Sequence, residues 1–169
     1  EFDERLRNLV RESKVVAIGE CGLDSGSDEE VELFKLNIEL ARECGLPLVV
    51  HCRNMFEKVF EVLDYEKVQM HCFTGNQEQM RECVRRGWYV SFGGILTFKK
   101  SASLREVARE TPEDRLLVET DSPYLAPEPV RGIKNTPANV KYVLDCLAEV
   151  RGKNVETITS ENAKRLFGL

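Results

Sequence analysis

Two histidines and two acidic residues follow short apolar segments in this sequence, and their types are those of a divalent-metal site. His51 and His71 are the only histidines of the chain, and each lies at the end of an apolar run. Glu20 and Asp121 lie at or just beyond the ends of two other runs. Imidazole and carboxylate groups suit divalent cations such as Zn²⁺, Mn²⁺ or Mg²⁺. If the four side chains converge, they can bind one or two cations that activate water for hydrolysis.

The elements that must position these residues are short strands alternating with amphipathic helices. Apolar, β-branched or aromatic runs predict strands at 15–19, 46–51, 68–71, 88–92 and 115–119. Helical periodicity occurs at 3–13, 31–41, 56–63, 140–150 and 157–166. This alternation predicts an α/β fold with a parallel sheet covered on both faces. In such folds ligands bind at the carboxyl ends of the strands, which is where the four residues are expected.

Each of these residues also has a structural interpretation. A single histidine at a strand end is more often a hydrogen-bonded structural residue than a ligand. Both histidines share this position with a glutamate and an aspartate, which favours a site. A structural zinc site that pairs each histidine with the following Cys52 or Cys72 is the competing interpretation. Because consecutive strand residues point to opposite faces, we expect both cysteines to pack as apolar residues against helices.

Composition indicates an ordinary globular protein. The chain has 169 residues, of which 42% are hydrophobic and 31% charged, so we expect one domain over residues 1–169 and exclude general disorder. No apolar run approaches the length of a membrane span, and the charged start at Glu1 does not resemble a leader peptide. The net charge of −5 argues against non-specific coating of nucleic acid. Six cysteines without a CxxC pair favour the reducing cytoplasm, or the nucleus in a eukaryote, over a disulfide framework.

Several motifs in order along the chain resemble the TatD-type metal-dependent deoxyribonuclease family. The resemblance extends from Val15 to Phe167 and is specific because the motifs occur in register. The motifs are Gly19–Asp24, His51–Asn54, His71–Gly75, Ser91–Gly94, Glu119–Pro127 and Arg131–Asn135.

The resemblance implies a (β/α)8 barrel of the amidohydrolase type with one or two divalent ions (Mg²⁺, Mn²⁺ or Zn²⁺) at its mouth. Glu20 matches the catalytic carboxylate that bridges the metals, and His51 and His71 match the imidazole ligands of one of them. Asp121 matches the catalytic aspartate that binds the other metal and orients the attacking water. The implied activity is cleavage of DNA phosphodiester bonds, as an exonuclease on single-stranded ends.

The family pattern also suggests substrate contacts. Arg53 matches a contact with substrate phosphate, and Arg131 and Asn135 lie in the loop that the family places near the nucleic-acid strand. Tyr124 and Phe73 could stack on a terminal base or equally pack around the site. Glu119 and Ser122 lie in the motif Glu119–Pro127, which also contains Asp121 and Tyr124. We expect Glu119 to act through hydrogen bonds rather than direct ligation, and Ser122 not to be a nucleophile because no base adjoins it.

The chain departs from the family in its length. A complete barrel needs about 250 residues and eight strands. Five strands are visible here, and the opening segment with its His-x-His pair is missing, so we expect only the C-terminal five strand–helix units. An open sheet would expose an edge and an inner face, which predicts cover by a second copy, by rearrangement or by further sequence. The alternatives to a deoxyribonuclease are a metal-dependent hydrolase of another small substrate and a truncated, inactive barrel fragment.

Overall fold

The computed structural model describes residues 2–169 as five strands that alternate with helices. The strands are β1 (Ile18–Leu23), β2 (Leu48–Cys52), β3 (Val68–Met70), β4 (Tyr89–Phe92) and β5 (Leu116–Val118). The α-helices are α1 (Phe2–Leu9), α2 (Asp28–Cys44), α3 (Phe56–Val62), α4 (Gln77–Arg85), α5 (Ala102–Glu110), α6 (Val140–Arg151) and α7 (Glu156–Phe167).

The strands form one parallel sheet in the order β1-β2-β3-β4-β5. The α/β fold with five consecutive strand–helix units is therefore confirmed. Parallel neighbours bring all five carboxyl ends to the same edge, and this edge carries the residues singled out from the sequence. In the part of the chain that the structure describes, none of the helices has the length and apolar character of a membrane span.

The two faces of the sheet differ in chemistry. Along β2, Leu48, Val50 and Cys52 are buried in the main hydrophobic core, which also includes residues of the surrounding helices. Val49 and His51 alternate with them and are less buried, so they belong to the other face. Helices α2 to α6 thus bury one face of the sheet, and the predicted cover of the opposite face is found where α7 packs.

Helix α7 packs against that second face near the start of β4. Its Leu166 contacts Tyr89 and Leu117 in a small separate cluster of buried residues. The side-chain amide of Asn162 donates to the carbonyl oxygens of Glu113 and Leu116, which fixes α7 to the chain entering β5. The last helix therefore occupies the end of the sheet opposite the expected site.

The predicted bounds of the first two elements are wrong. The predicted strand at 15–19 begins at Ile18 and continues to Leu23, and the predicted helix at 3–13 ends at Leu9. Register shifts between Ile18 and Cys21, so β1 contains a bulge. Glycines within Gly19–Leu23 weaken the strand signal in the sequence, and pairing with β2 overrides it.

Candidate metal centre

Glu20 and the two histidines meet at the bulge in β1. Glu20 lies within the bulged strand rather than after it, and its side chain reaches the neighbouring strand ends. Its Oε1 atom lies 3.1 Å from Nδ1 of His51 and 3.5 Å from Nε2 of His71. One carboxylate oxygen therefore contacts both imidazoles, which come from β2 and from the end of β3.

A tighter group is formed by Glu20, His71 and Asp121. One ligand atom from each of the three lies within 4.8 Å of the others. Nε2 of His71 lies 3.3 Å from Oδ1 of Asp121, which follows β5. Side chains from β1 and from the segments that follow β3 and β5 thus converge across the sheet, as the positions of these residues at strand ends predict.

His51 lies beside this group without belonging to it. Its Nδ1 faces Glu20, and its Nε2 lies 3.4 Å from Oδ1 of Asp24. Nη1 of Arg53 lies 3.6 Å from the same Asp24 oxygen. The structure therefore groups His71 with Glu20 and Asp121. His51 contacts this group through Glu20, and its other ring nitrogen faces Asp24. Asp24 was not identified from the sequence, since nothing local distinguishes it from a surface acid at a strand end.

Glu119 contacts the far side of His71. Its Oε1 lies 2.7 Å from Nδ1 of His71 and accepts a hydrogen bond of 3.0 Å from the backbone N–H of Cys72. Its Oε2 accepts a 3.0 Å hydrogen bond from Nε2 of Gln69. Glu119 thus contacts a candidate ligand from behind, as its expected indirect role requires. Gln69 is a second residue that sequence analysis missed, because a glutamine within a strand carries no signal of such a contact.

The backbone at the ends of β3 and β5 adopts an unusual conformation. Cys72 has φ 44° and Asp121 has φ 56°, both in the left-handed region that non-glycine residues seldom occupy. Such conformations cost about 1–3 kcal/mol each and concentrate at functional sites. One lies immediately after His71 and the other at Asp121 itself, so both change the direction of the chain at this edge.

The surrounding charges alter the protonation of His71 and Asp121. Burial disfavours the charged form of His71, but the hydrogen bond and charge of Glu119, with two further carboxylates, outweigh burial and raise the His71 pKa to about 9. Burial raises the pKa of Asp121; the adjacent His71 counteracts this in part, and the charge of Glu119 adds to it. The cluster therefore has an excess of negative charge that a proton or a cation can offset.

The two cysteines differ from one another. Cys52 is buried in the main core, as predicted. The expectation that Cys72 packs against a helix is wrong, because β3 ends at Met70 and the chain turns so that Cys72 lines the cleft. Burial, with the nearby carboxylates, raises the pKa of the Cys72 thiol. Among the described residues, the ligand atoms that lie within 4.8 Å of one another belong to Glu20, His71 and Asp121 and to neither cysteine, which argues against the alternative histidine–cysteine zinc site.

The site opens into a cleft of about 570 Å³. Arg53 and Tyr124 are on its wall, and Tyr124 is 71% exposed. Phe73, by contrast, is buried against Phe56 and Phe92, so it packs in the core rather than stacking on a base. The lining residues are Glu20, His51, Cys52, Arg53, His71, Cys72, Thr74, Ile95, Asp121, Tyr124 and Leu125.

The other two expected substrate contacts lie away from the cleft wall. Asn135 is 2% exposed, and its amide donates to the carbonyl oxygens of Thr120 and Tyr124. The expectation that Asn135 contacts substrate therefore does not fit the structure, since its side chain is used to hold the loop. Arg131 is half exposed and its guanidinium lies 4.0 Å from the ring centroid of Phe98. Arg131 is not among the residues that line the cleft.

The donor set fits a divalent cation. The triad of Glu20, His71 and Asp121 offers two carboxylates and one imidazole at an open, partly buried edge. Asp24 and Glu119 add negative charge around the triad, and Arg53 brings a guanidinium to the cleft wall. Oxygen and nitrogen donors of this kind suit Mg²⁺, Mn²⁺ or Zn²⁺.

A parallel α/β sheet with such a triad at its carboxyl edge defines a metal-dependent hydrolase of the barrel type. A family model described as "TatD related DNase" matches residues 1–168. This chain belongs to the TatD family, whose members are metal-dependent hydrolases.

Curated relatives agree with this assignment. The chain is 46% identical to the "Uncharacterized metal-dependent hydrolase YabD" of Bacillus subtilis (strain 168), over 96% of the chain and 69% of the relative. It is 43% identical to the "Uncharacterized metal-dependent hydrolase YcfH" of Escherichia coli (strain K12), over 97% of the chain and 67% of the relative. Identity to the "3'-5' ssDNA/RNA exonuclease TatD" of Enterobacter lignolyticus (strain SCF1) is 34%, over 100% of the chain and 72% of the relative.

Solved structures show the same fold. The crystal structure of YjjV, a TatD homologue from Escherichia coli K12, superposes with a TM-score of 0.91 at 28% identity, covering 99% of this chain and 70% of that one. A TatD family hydrolase from Entamoeba histolytica gives a TM-score of 0.83 at 22% identity, covering 98% of this chain and 68% of that one. Because its identity is only 22%, the similarity to the Entamoeba histolytica structure concerns the fold alone.

Proposed function

We propose that this chain carries the catalytic edge of a nuclease that hydrolyses phosphodiester bonds at the ends of single-stranded DNA. The observation that carries the proposal is the convergence of Glu20, His71 and Asp121 within 4.8 Å at the mouth of a cleft that Arg53 and Tyr124 line. The name of the relative from Enterobacter lignolyticus, a 3'-5' ssDNA/RNA exonuclease, supports the substrate class.

Glu20, His71 and Asp121 would hold the cation, with His51 beside Glu20. A divalent cation bound there supplies positive charge that polarises a phosphoryl oxygen and makes water a stronger acid. Asp121 is placed to accept the proton that the attacking water loses, because its carboxylate belongs to the triad and opens on the cleft. Glu119 supports this arrangement from behind His71.

Arg53 and Tyr124 would bind the substrate and take no part in breaking the phosphodiester bond. The exposed guanidinium of Arg53 can donate forked hydrogen bonds to a phosphate and offset its charge, once it leaves the weak contact with Asp24. The exposed ring of Tyr124 offers a stacking surface for a terminal base. Stacking requires an unpaired base, which favours a single strand over a duplex.

The test is digestion of end-labelled DNA and RNA, single- and double-stranded, by the protein loaded in turn with Mg²⁺, Mn²⁺ or Zn²⁺. We expect shortening of single-stranded DNA from one end, and loss of this activity in Glu20→Gln. Glu39→Gln on the exposed side of α2 is the matched control and should cleave like the unmodified protein. Metal binding without cleavage of any nucleic acid would contradict the proposed substrate and favour a hydrolase of a smaller substrate. Absence of both would favour an inactive fragment.

A further inference from the structure

The polar contacts behind His71 continue through Glu119 to Gln69 on β3. We propose that Gln69 and Glu119 act together as positioning residues that fix the ring of His71 and direct its Nε2 atom to the cation. The inference rests on the proposed role of His71 as a metal ligand, and it does not depend on the substrate.

Glu119 is held on both oxygens by N–H donors. Its Oε1 contacts Nδ1 of His71 at 2.7 Å and the backbone N–H of Cys72 at 3.0 Å. Its Oε2 accepts from Gln69 at 3.0 Å, and its side chain is only 12% exposed. A buried carboxylate with three donors cannot rotate without losing one of them, so its orientation is fixed.

The fixed carboxylate determines which ring nitrogen of His71 can give up its proton to a cation. An ionised carboxylate accepts hydrogen bonds and cannot donate them, so Nδ1 of His71 carries a hydrogen toward Glu119. Nε2 then faces Glu20 at 3.5 Å and Asp121 at 3.3 Å, on the side where the cation would lie. Histidine ligands commonly donate their other N–H to a carboxylate in this way, and loss of such a partner costs about 10–100-fold in metal affinity.

Gln69 is the uncharged donor that holds the second oxygen of Glu119. It is buried on the polar face of β3, where its register partners are Val49 and Tyr89. Among the described residues Gln69 is the side chain that donates to Oε2 of Glu119. Its amide satisfies that oxygen without adding a positive charge that would oppose a cation nearby. A methionine at this position would keep the volume and remove the donor.

The experiment measures Mn²⁺ affinity by isothermal titration calorimetry for the unmodified protein, Gln69→Met, Glu119→Ala, Glu119→Gln and the double variant Gln69→Met/Glu119→Ala. We expect Gln69→Met to weaken binding about tenfold and Glu119→Ala about a hundredfold, with partial rescue in Glu119→Gln. The double variant should bind no more weakly than Glu119→Ala, because Gln69 acts through Glu119. Thr159→Val, which removes a buried hydroxyl of α7 far from the edge, is the control and should bind Mn²⁺ normally.

A second measurement separates positioning from general stability. In the Zn²⁺-loaded protein labelled with ¹⁵N-histidine, the Nδ1–H resonance of His71 should be protected from solvent exchange, and Gln69→Met should lower this protection. The second histidine is assigned with His51→Asn. Unchanged Mn²⁺ affinity in a folded Gln69→Met protein, an additive double variant, or absence of cation binding in the unmodified protein would overturn the inference. Normal cation binding with no nuclease activity would leave it standing while the proposed function fails.

Discussion

Oδ1 of Asp121 lies 3.3 Å from Nε2 of His71, and Asp121 reaches this position with a left-handed backbone. Aspartate and asparagine tolerate this conformation better than most residues because their short polar side chains can hydrogen-bond locally. The position therefore requires both an acid, for its chemistry, and a residue that accepts a positive φ. These two requirements can be separated by substitution.

Asp121→Asn should preserve the fold and abolish most catalysis. Removal of a general base typically costs about 10²–10⁴-fold in kcat, whereas asparagine keeps the backbone preference and the size of the side chain. Asp121→Ala should in addition lose about 1 kcal/mol of stability because alanine is disfavoured at positive φ. Steady-state kinetics with saturating metal and urea unfolding distinguish these effects. Asp145→Asn, on the exposed surface of α6, is the control, and a kcat in Asp121→Asn near that of this control would contradict the prediction.

Metal binding should release a proton from His71 and weaken as pH falls. The pKa of His71 in the metal-free protein is raised to about 9, so near neutral pH the ring carries a proton that a cation must displace. One displaced proton gives an affinity that tightens about tenfold per pH unit up to the His71 pKa. Calorimetry in two buffers with different ionisation enthalpies should show release of about one proton at pH 7. Equal heats in the two buffers would contradict this expectation.

The raised pKa of His71 also makes the stability of the metal-free protein depend on pH. The folded-state pKa of His71 lies above its ordinary value of 6.5, so the folded protein binds the proton more tightly than the unfolded chain. The resulting stabilisation is fully present below about pH 6.5 and is lost as pH rises through about 9. Melting of the metal-free protein should therefore occur at lower temperature at pH 9 than at pH 6.5, and His71→Asn should reduce this difference.

Tyr124 should contribute to binding of single strands but not to the chemical step. Tyr124→Ala is expected to raise KM for single-stranded DNA by about tenfold, within the 1–3 kcal/mol that base–aromatic stacking contributes. Tyr124→Phe keeps the ring and should behave like the unmodified protein. Ile133→Ala, also exposed but outside the cleft lining, is the control. The interpretation is wrong if Tyr124→Ala lowers kcat with KM unchanged.

Asn135 shows why a polar residue in a functional loop can be misread from sequence. Its motif position suggested a substrate contact, but the structure uses its amide to join Thr120, Tyr124 and Asn139 within the loop. Asn135→Ala should destabilise the protein by about 3 kcal/mol, since buried loop carbonyls lose their donors. Asn139→Ala removes one of these hydrogen bonds and should cost less. Equal unfolding free energies for the two variants would argue against this anchoring role.

The strands after the first were predictable because their apolar runs carry the signal locally. Parallel strands share an edge, so His71 and Asp121 could be assigned to one site before their distances were known. The contacts of Asp24 and Gln69 could not be found, because they depend on which side chains meet across strands. Helices α4 and α5 were not predicted from the sequence, although Leu104, Val107 and Ala108 of α5 recur at helical spacing. The bulge that carries Glu20 was missed because the glycines of β1 weaken the strand signal in the sequence.

Gly22 holds β1 against β2 so closely that no side chain fits. Its φ is +150°, and a Cβ atom would lie 1.9 Å from the carbonyl oxygen of His51. Gly22→Ala should cost about 1–3 kcal/mol through backbone strain alone, and the clash adds to this by pushing β1 away from β2. Because Glu20 and His51 lie on these two strands, cation affinity should fall with stability. Gly45→Ala is the matched control: Gly45 also has a positive φ, but a Cβ there meets nothing within 4 Å. It should lose about 1 kcal/mol of stability and no affinity. If Gly22→Ala binds Mn²⁺ as Gly45→Ala does, the close approach of the two strands does not position Glu20.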